Sequence, residues 1–139
     1  MVRPLVLTRI FLILAVVGAV GGCGGENISV IKGKVELDGA PLPEAQIQMI
    51  ASGGQDVPML AGATDAAGQF TINAKPRPGK SSAGAYTVVV SKLRVKKGTI
   101  MDMEEIVPLL YTDRTKTPLK VEIKDGDNNL PPLQLKSKD

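Results

Sequence analysis

Cys23 is the residue whose side chain offers the clearest chemistry in this chain of 139 residues, because it is the single cysteine. The chain contains no histidine. A Ser-His-Asp or Cys-His catalytic arrangement and a histidine-ligated zinc site are therefore excluded by composition. One thiol also cannot form an intramolecular disulfide. Cys23 is therefore a candidate for another covalent modification of its sulfur.

Residues 1–22 have the pattern of a secretory signal peptide. Arg3 and Arg9 lie in the first part, and an unbroken apolar run of 11 residues extends from Ile10 to Val20. A helix needs about 20 apolar residues to cross a bilayer, so this run predicts a cleaved signal peptide. The alternatives are a signal peptide followed by an incidental cysteine, and an anchor that is not cleaved.

The residues directly before Cys23 carry a family resemblance. Val20, Gly21 and Gly22 followed by Cys23 resemble the lipobox of bacterial lipoproteins. The resemblance implies cleavage before Cys23, diacylglycerol on its thiol and acylation (palmitate or a similar chain) of the new N-terminus, which together hold the protein firmly on a membrane. An aspartate directly after the cysteine would resemble an inner-membrane retention signal, but this chain has Gly24 there. We therefore expect a membrane-anchored lipoprotein of the cell envelope facing the periplasm or exterior, on the outer membrane where one exists.

The net charge does not favour nucleic acid as a partner. The chain has 17 basic and 14 acidic residues, and the loss of Arg3 and Arg9 with the signal peptide brings these numbers close to equality. The remaining charges are unevenly distributed, since no acidic residue occurs between Asp65 and Asp102. One side of the folded domain is therefore expected to be basic.

Four basic residues in this interval form a candidate binding site. Alternate residues of an extended strand point to the same side, so three of the four are expected to face one way. We predict contact with anionic lipid or envelope polysaccharide; the alternative is a solvated strand edge that prevents aggregation. The candidate residues are Lys92, Arg94, Lys96 and Lys97.

Apolar and polar residues alternate with a period of two through most of the chain after residue 29, which indicates half-buried strands. The predicted strands are residues 31–37, 45–49, 59–64, 69–73, 86–95, 119–123 and 133–135. We predict hairpins across residues 65–68, with Gly68 in the left-handed conformation, and across residues 125–129. One helical turn is expected near Tyr111.

The strand predicted at residues 86–95 changes character along its length. Tyr86, Val88 and Val90 share a face with Lys92 and Arg94. We therefore expect this strand to run past the edge of the core or to carry a bulge, with an exposed far end.

Short strands separated by regular turns predict an all-β fold, an antiparallel β-sandwich of about seven strands. The turn and core residues resemble the carboxypeptidase regulatory-like domain, a sandwich of transthyretin-like or immunoglobulin-like type found in short bacterial lipoproteins. The resemblance is carried by Gly33, Val35, Leu37, Asp38, Gly39, Pro41, Leu42, Ala45, Ile47, Thr64, Asp65, Gly68, Phe70, Ile72, Gly84, Tyr86, Val88 and Val90, and later by Pro108, Tyr111 and residues 119–135. It implies a domain at residues 28–139 after a lipidated tether at residues 23–27.

Carboxylates provide weaker candidates for a site. Glu104 and Glu105 are adjacent in a predicted solvated loop, where a catalytic pair is not expected. Asp125, Asp127 and Asn129 alternate like the ligands of a calcium loop, but the glycine and glutamate that an EF-hand requires further along are missing.

These features together predict a non-catalytic envelope protein with no catalytic residue, metal or cofactor. It would act as a binding or structural module held on the membrane by its N-terminal lipid. The alternative is an accessory subunit that docks to another envelope protein by strand addition.

Overall fold

The computed structural model describes residues 28–52 and 59–137. The predicted signal peptide, the tether and Cys23 lie outside these described residues. The described residues contain eleven strands and one short helix: β1 Ser29–Leu37, β2 Ala40–Pro41, β3 Gln46–Ala51, β4 Leu60–Ala63, β5 Gln69–Ala74, β6 Gly84–Ser91, β7 Leu93–Val95, β8 Met103–Glu105, α1 Leu109–Thr112, β9 Lys120–Ile123, β10 Asp127–Asn129 and β11 Leu133–Leu135.

Most of these strands belong to one of two sheets that pack together. In the first sheet β1 pairs with β2 and β5 in antiparallel orientation and with β10 and β11 in parallel orientation. The second sheet has the antiparallel order β4-β3-β6-β9. The predicted all-β sandwich is confirmed, and its two parallel pairs are short additions to a mostly antiparallel arrangement.

The core follows from the period-two alternation of the strands. Ile31 and Val35 of β1 and Tyr86, Val88 and Val90 of β6 are fully buried. Burial of a side chain of this size stabilises the fold by about 1.5–3 kcal/mol. The inward faces predicted for these strands are therefore the faces that hold the two sheets together.

A chain of buried hydrogen bonds marks one end of the sandwich. The Tyr86 hydroxyl donates to the Ser82 carbonyl oxygen at 2.6 Å, and the Ser82 hydroxyl donates to Ser29 Oγ at 2.7 Å. Burial raises the pKa of Tyr86 above its usual value, and the negative charge of Asp125 adds to this effect. The start of β1 and the start of β6 therefore lie at the same end, which we call the Ser29 end.

The predicted hairpin across residues 65–68 is wrong, although its turn is present. The Gly68 amide donates to the Asp65 carbonyl oxygen at 3.0 Å, and the Asp65 amide donates to the Gln69 carbonyl oxygen at 2.8 Å. However, β4 pairs with β3 and β5 pairs with β1, so this turn carries the chain from one sheet to the other. Turn residues specify a reversal of direction and not the strand that becomes the partner.

The predicted terminal hairpin is also wrong. β9 pairs with β6 in the second sheet, whereas β10 and β11 pair with β1 in the first sheet. Asn128 holds the connection, since its side-chain oxygen accepts from the Lys124 amide at 2.9 Å and its Nδ2 donates to the Lys124 carbonyl oxygen at 2.8 Å. β10 and β11 occupy the edge of β1 opposite to β5 and β2, and this pairing decides the topology.

The long strand predicted at residues 86–95 is interrupted at Lys92. β6 ends at Ser91 inside the second sheet. β7 begins at Leu93 outside that sheet, and its three residues are exposed. The predicted exposure of the far end is confirmed. The interruption separates the core strand from a small independent hairpin, which is described below.

Gly68 occupies a turn that leaves no space for a side chain. Its φ is +74°, as predicted, and a Cβ built there would lie 2.9 Å from the Val35 carbonyl oxygen and 3.0 Å from the Leu42 amide nitrogen. Gly79 has nearly the same φ of +75°, but a Cβ there would meet no atom within 4 Å. The two positions therefore have nearly the same φ and differ in the space around them.

We expect Gly68→Val and Gly68→Ala to be costly. The positive φ alone costs on the order of 1–2 kcal/mol for a residue with a Cβ, and the contacts with backbone atoms add to this cost. Gly79→Ala is the matched control, because it adds a Cβ at the same φ without a clash. Urea unfolding should show a larger loss of unfolding free energy for Gly68→Ala than for Gly79→Ala. Equal losses of unfolding free energy in the two variants would contradict the close approach of backbone atoms to Gly68.

Candidate functional site: the β7–β8 hairpin

The segment from Leu93 to Glu105 forms a hairpin that pairs with neither sheet in the described part of the chain. β7 and β8 are antiparallel, with Leu93 opposite Glu105 and Val95 opposite Met103. The turn between them, residues 96–102, is called the tip below. The hairpin is thus a small element that leaves the sandwich at the end of β6.

The base of the hairpin is held to the sandwich by hydrogen bonds around Lys92. A carboxylate oxygen of Glu105 accepts from the Lys92 amide at 2.7 Å and from the Val107 amide at 3.0 Å. The Ile106 amide donates to the Lys92 carbonyl oxygen at 3.0 Å, and the Lys92 ammonium group donates to the Pro43 carbonyl oxygen. These bonds fix where the hairpin leaves the second sheet.

Glu104 and Glu105 do not lie in a solvated loop, as the sequence predicted. Both are on β8 and are partly buried. Arg94 Nε donates to Glu104 Oε1 at 2.6 Å, while Glu105 accepts the two backbone amides at the base. The two carboxylates therefore serve the structure of the hairpin, and they point to separate partners.

The predicted basic cluster is divided by the structure. Lys92 is half-buried and bound to the Pro43 carbonyl, and Arg94 is paired with Glu104. Lys96 and Lys97 are exposed in the tip, where the described residues provide no ion pair for either ammonium group. Lys96 and Lys97 are thus the two members whose charge remains available. Whether the cluster binds an anionic surface stays a prediction.

The exposed apolar residues of the hairpin were not predicted from the sequence. Leu93, Val95 and Met103 are each about half exposed, and Ile100 and Met101 at the tip are 94% and 88% exposed. Alternation places Leu93 and Val95 on one side, and Met103 lies directly opposite Val95. The signal was present in the sequence, because adjacent Ile100 and Met101 in a turn after lysines have no core to enter.

The segment with a calcium-like pattern is occupied by internal contacts. Asp125 Oδ1 accepts from the Ser81 hydroxyl at 2.7 Å, and Asp127 and Asn129 belong to β10. Within residues 28–52 and 59–137 there is no group of three or more acidic, cysteine or histidine residues placed to hold a metal. All buried side-chain nitrogen and oxygen atoms there have hydrogen-bond partners.

A depression of about 510 Å³ lies beside β1 and β5. Its charged side chains include Lys32, Lys34 and Asp65. Lys34 is paired with Glu36 at 3.1 Å, and Asp65 Oδ1 accepts two backbone amides of its own turn. The depression therefore offers an open polar surface without a converging set of reactive groups.

No helix among the described residues is long and apolar enough to cross a membrane. The chain matches no known family model, and no curated protein matches its sequence. The resemblance to lipoproteins with a carboxypeptidase regulatory-like domain therefore stays a prediction. Among the described residues, the hairpin is the candidate site with the clearest geometry.

We expect Glu105→Ala to destabilise the domain by about 1–3 kcal/mol, because two partly buried amides would lose their acceptor. Glu104→Ala is the matched control on the same strand. It removes one surface ion pair, which typically contributes about 0–1 kcal/mol. Chemical denaturation of both variants should show the larger loss for Glu105→Ala. A larger loss for Glu104→Ala would mean that the base contacts do not hold the hairpin.

Proposed function

We propose that this protein is a lipid-anchored, non-catalytic module of the cell envelope that presents the β7–β8 hairpin to a binding partner. The observation that carries the proposal is the exposure of apolar side chains on an element that the sandwich does not need for its core. Ile100 and Met101 add nothing to the packing of the sheets. Exposed apolar groups concentrated on one element are typical of interaction sites.

The remainder of the domain supports a binding role in preference to catalysis. The chain lacks histidine, and the carboxylates of the hairpin are engaged by Arg94 and by backbone amides. A rigid sandwich that carries one exposed hairpin is suited to recognition.

The membrane anchor is proposed from residues 1–23 and the lipobox resemblance. The tether of residues 23–27 can reach at most about 18 Å when fully extended. It joins the domain at the Ser29 end, because β1 begins there. The proposed lipid would therefore hold this end of the sandwich close to the membrane surface.

We expect Cys23→Ser to abolish both lipidation and cleavage, because the thiol is the proposed acceptor and its modification precedes cleavage in the resembling pathway. Mass spectrometry of the protein from bacterial membranes should detect acyl chains on the unsubstituted chain, starting at Cys23, and none on the variant. Gly25→Ala is the control, since it leaves the thiol and the residues before it unchanged. An unsubstituted protein without acyl mass, or one cleaved at another bond, would contradict the anchor.

A second candidate function, strand addition to another envelope protein, is favoured by the open edge of β7. The Lys96 amide donates to the Asp102 carbonyl oxygen, and Ile106 donates to Lys92. In an antiparallel pair, residues that alternate with the hydrogen-bonded ones direct their amide and carbonyl groups away from the partner strand. Leu93 and Val95 therefore present backbone groups to which an added strand could bind.

We expect Val95→Pro to remove this docking, because proline has no amide hydrogen to donate and is tolerated on an edge strand. Val95→Thr is the matched control, which keeps the amide and a branched side chain. The measurement is chemical crosslinking in intact cells, followed by washing at high salt. A salt-resistant complex should persist with Val95→Thr and disappear with Val95→Pro. No such complex, or equal complexes in both variants, would argue against strand addition.

A further inference from the structure

The tip of the hairpin combines two apolar side chains with two lysines. Ile100 and Met101 are the most exposed large apolar side chains of the described residues. Leu109 on α1 follows at 75% exposure, outside the hairpin. Lys96 and Lys97 precede the two apolar residues within the same turn. The tip is therefore a cluster of apolar and basic residues, whereas Leu109 is a single exposed apolar residue.

The exposure of the tip is fixed by backbone hydrogen bonds. The Lys96 amide donates to the Asp102 carbonyl oxygen at 2.7 Å, and the Thr99 amide donates to the Lys96 carbonyl oxygen at 3.1 Å. The Thr99 hydroxyl also donates to the Lys96 carbonyl oxygen at 3.1 Å. These bonds close the turn and leave Ile100 and Met101 on its outer side. Little conformational entropy would be lost when this turn meets a partner.

The charges of the hairpin leave the tip positive. Glu104 is neutralised by Arg94, and Glu105 accepts backbone amides at the base. Lys96 and Lys97 then face one acidic residue of the tip, Asp102. Cationic groups beside exposed apolar side chains match a surface that has anionic groups above a hydrocarbon layer. A polysaccharide would use the lysines and leave the apolar side chains in water.

The position of the tip relative to the proposed anchor defines an orientation. β1 begins at the Ser29 end, whereas β6 runs from that end to Ser91, where the hairpin base contacts Pro43. The eight residues of β6 span about 26 Å. If the N-terminus is lipidated, the anchor and the tip can reach the same membrane when the long axis of the sandwich lies along the membrane surface. This orientation rests on the proposed function.

We infer that the tip inserts Ile100 and Met101 into the acyl region of an anionic phospholipid bilayer, while Lys96 and Lys97 contact the lipid phosphates. Burial of each apolar side chain strengthens the association by about tenfold to a hundredfold. Each lysine near an anionic surface contributes about fivefold, and salt screens this contribution. The apolar and the basic residues thus both contribute to insertion.

The test uses the absence of tryptophan from the chain. Ile100→Trp places a single tryptophan in the tip of the full-length protein, and Leu109→Trp places one at an exposed apolar position outside the hairpin. Each variant is purified from bacterial membranes and reconstituted into vesicles. The vesicles contain either equimolar phosphatidylglycerol and phosphatidylcholine or phosphatidylcholine alone. Emission wavelength and quenching by lipids with brominated acyl chains report insertion.

We expect Ile100→Trp to give blue-shifted emission and brominated-lipid quenching in the anionic vesicles, and much weaker signals in the neutral vesicles. Leu109→Trp should remain exposed to water in both. Adding Lys96→Glu and Lys97→Glu to Ile100→Trp should lower the insertion equilibrium by about thirtyfold or more. Thermal unfolding should be unchanged by these substitutions, because the side chains are exposed.

Three results would overturn the inference. Emission from Ile100→Trp that stays unshifted in both vesicles would exclude insertion and leave a protein as the occupant of the tip. Equal signals in neutral vesicles, or with the two lysines reversed, would exclude the role of anionic lipid. Equal signals from Leu109→Trp would mean adsorption of the whole domain. The acyl mass of the same samples tests the lipid anchor separately. If the protein is not acylated, it can be added to preformed vesicles, and the emission of Ile100→Trp still tests insertion of the tip.

Discussion

The pairing of β1 on both of its edges is the constraint on which the rest of the structure depends. Its first half lies between β5 and β10, and its second half pairs with both β2 and β11. Because β1 is buried on its inner face at Ile31 and Val35, its backbone groups must find partners within the protein. Segments from the beginning, the middle and the end of the domain supply them. This strand therefore joins distant parts of the chain into one fold.

The crossings between sheets follow from that arrangement and place the hairpin. After β4 the chain must return to β1, and the turn at Gly68 makes this crossing without space for a side chain. β6 then belongs to the second sheet and carries the chain away from the Ser29 end. The hairpin begins where this core strand ends. Its apolar residues are exposed because neither sheet extends far enough to cover them.

Hydrogen bonds at the base make the hairpin a defined surface. Glu105 satisfies the amides of Lys92 and Val107, and the Lys92 ammonium group is bound to Pro43. The same contacts remove Lys92 from the set of free cations, while Arg94 is used by Glu104. The available positive charge is therefore concentrated at Lys96 and Lys97, next to Ile100 and Met101. Proximity in three dimensions changes which members of a basic sequence cluster can act on a partner.

The sequence by itself determined the main strands of the two sheets, their inward faces and the positive φ of Gly68, because these depend on a period of two and on local backbone sterics. It did not predict β8 and β10, which lie where a loop and a turn were expected. It also placed the candidate lipid acceptor at Cys23, whose pattern is local. Only the tertiary structure decided the partners of β4, β5 and β9 and the free surface of the hairpin. Strand pairing joins residues far apart in the chain, and a turn between sheets uses the same residues as a hairpin. Ion pairs such as Arg94 with Glu104 depend on that pairing, so local patterns do not contain them.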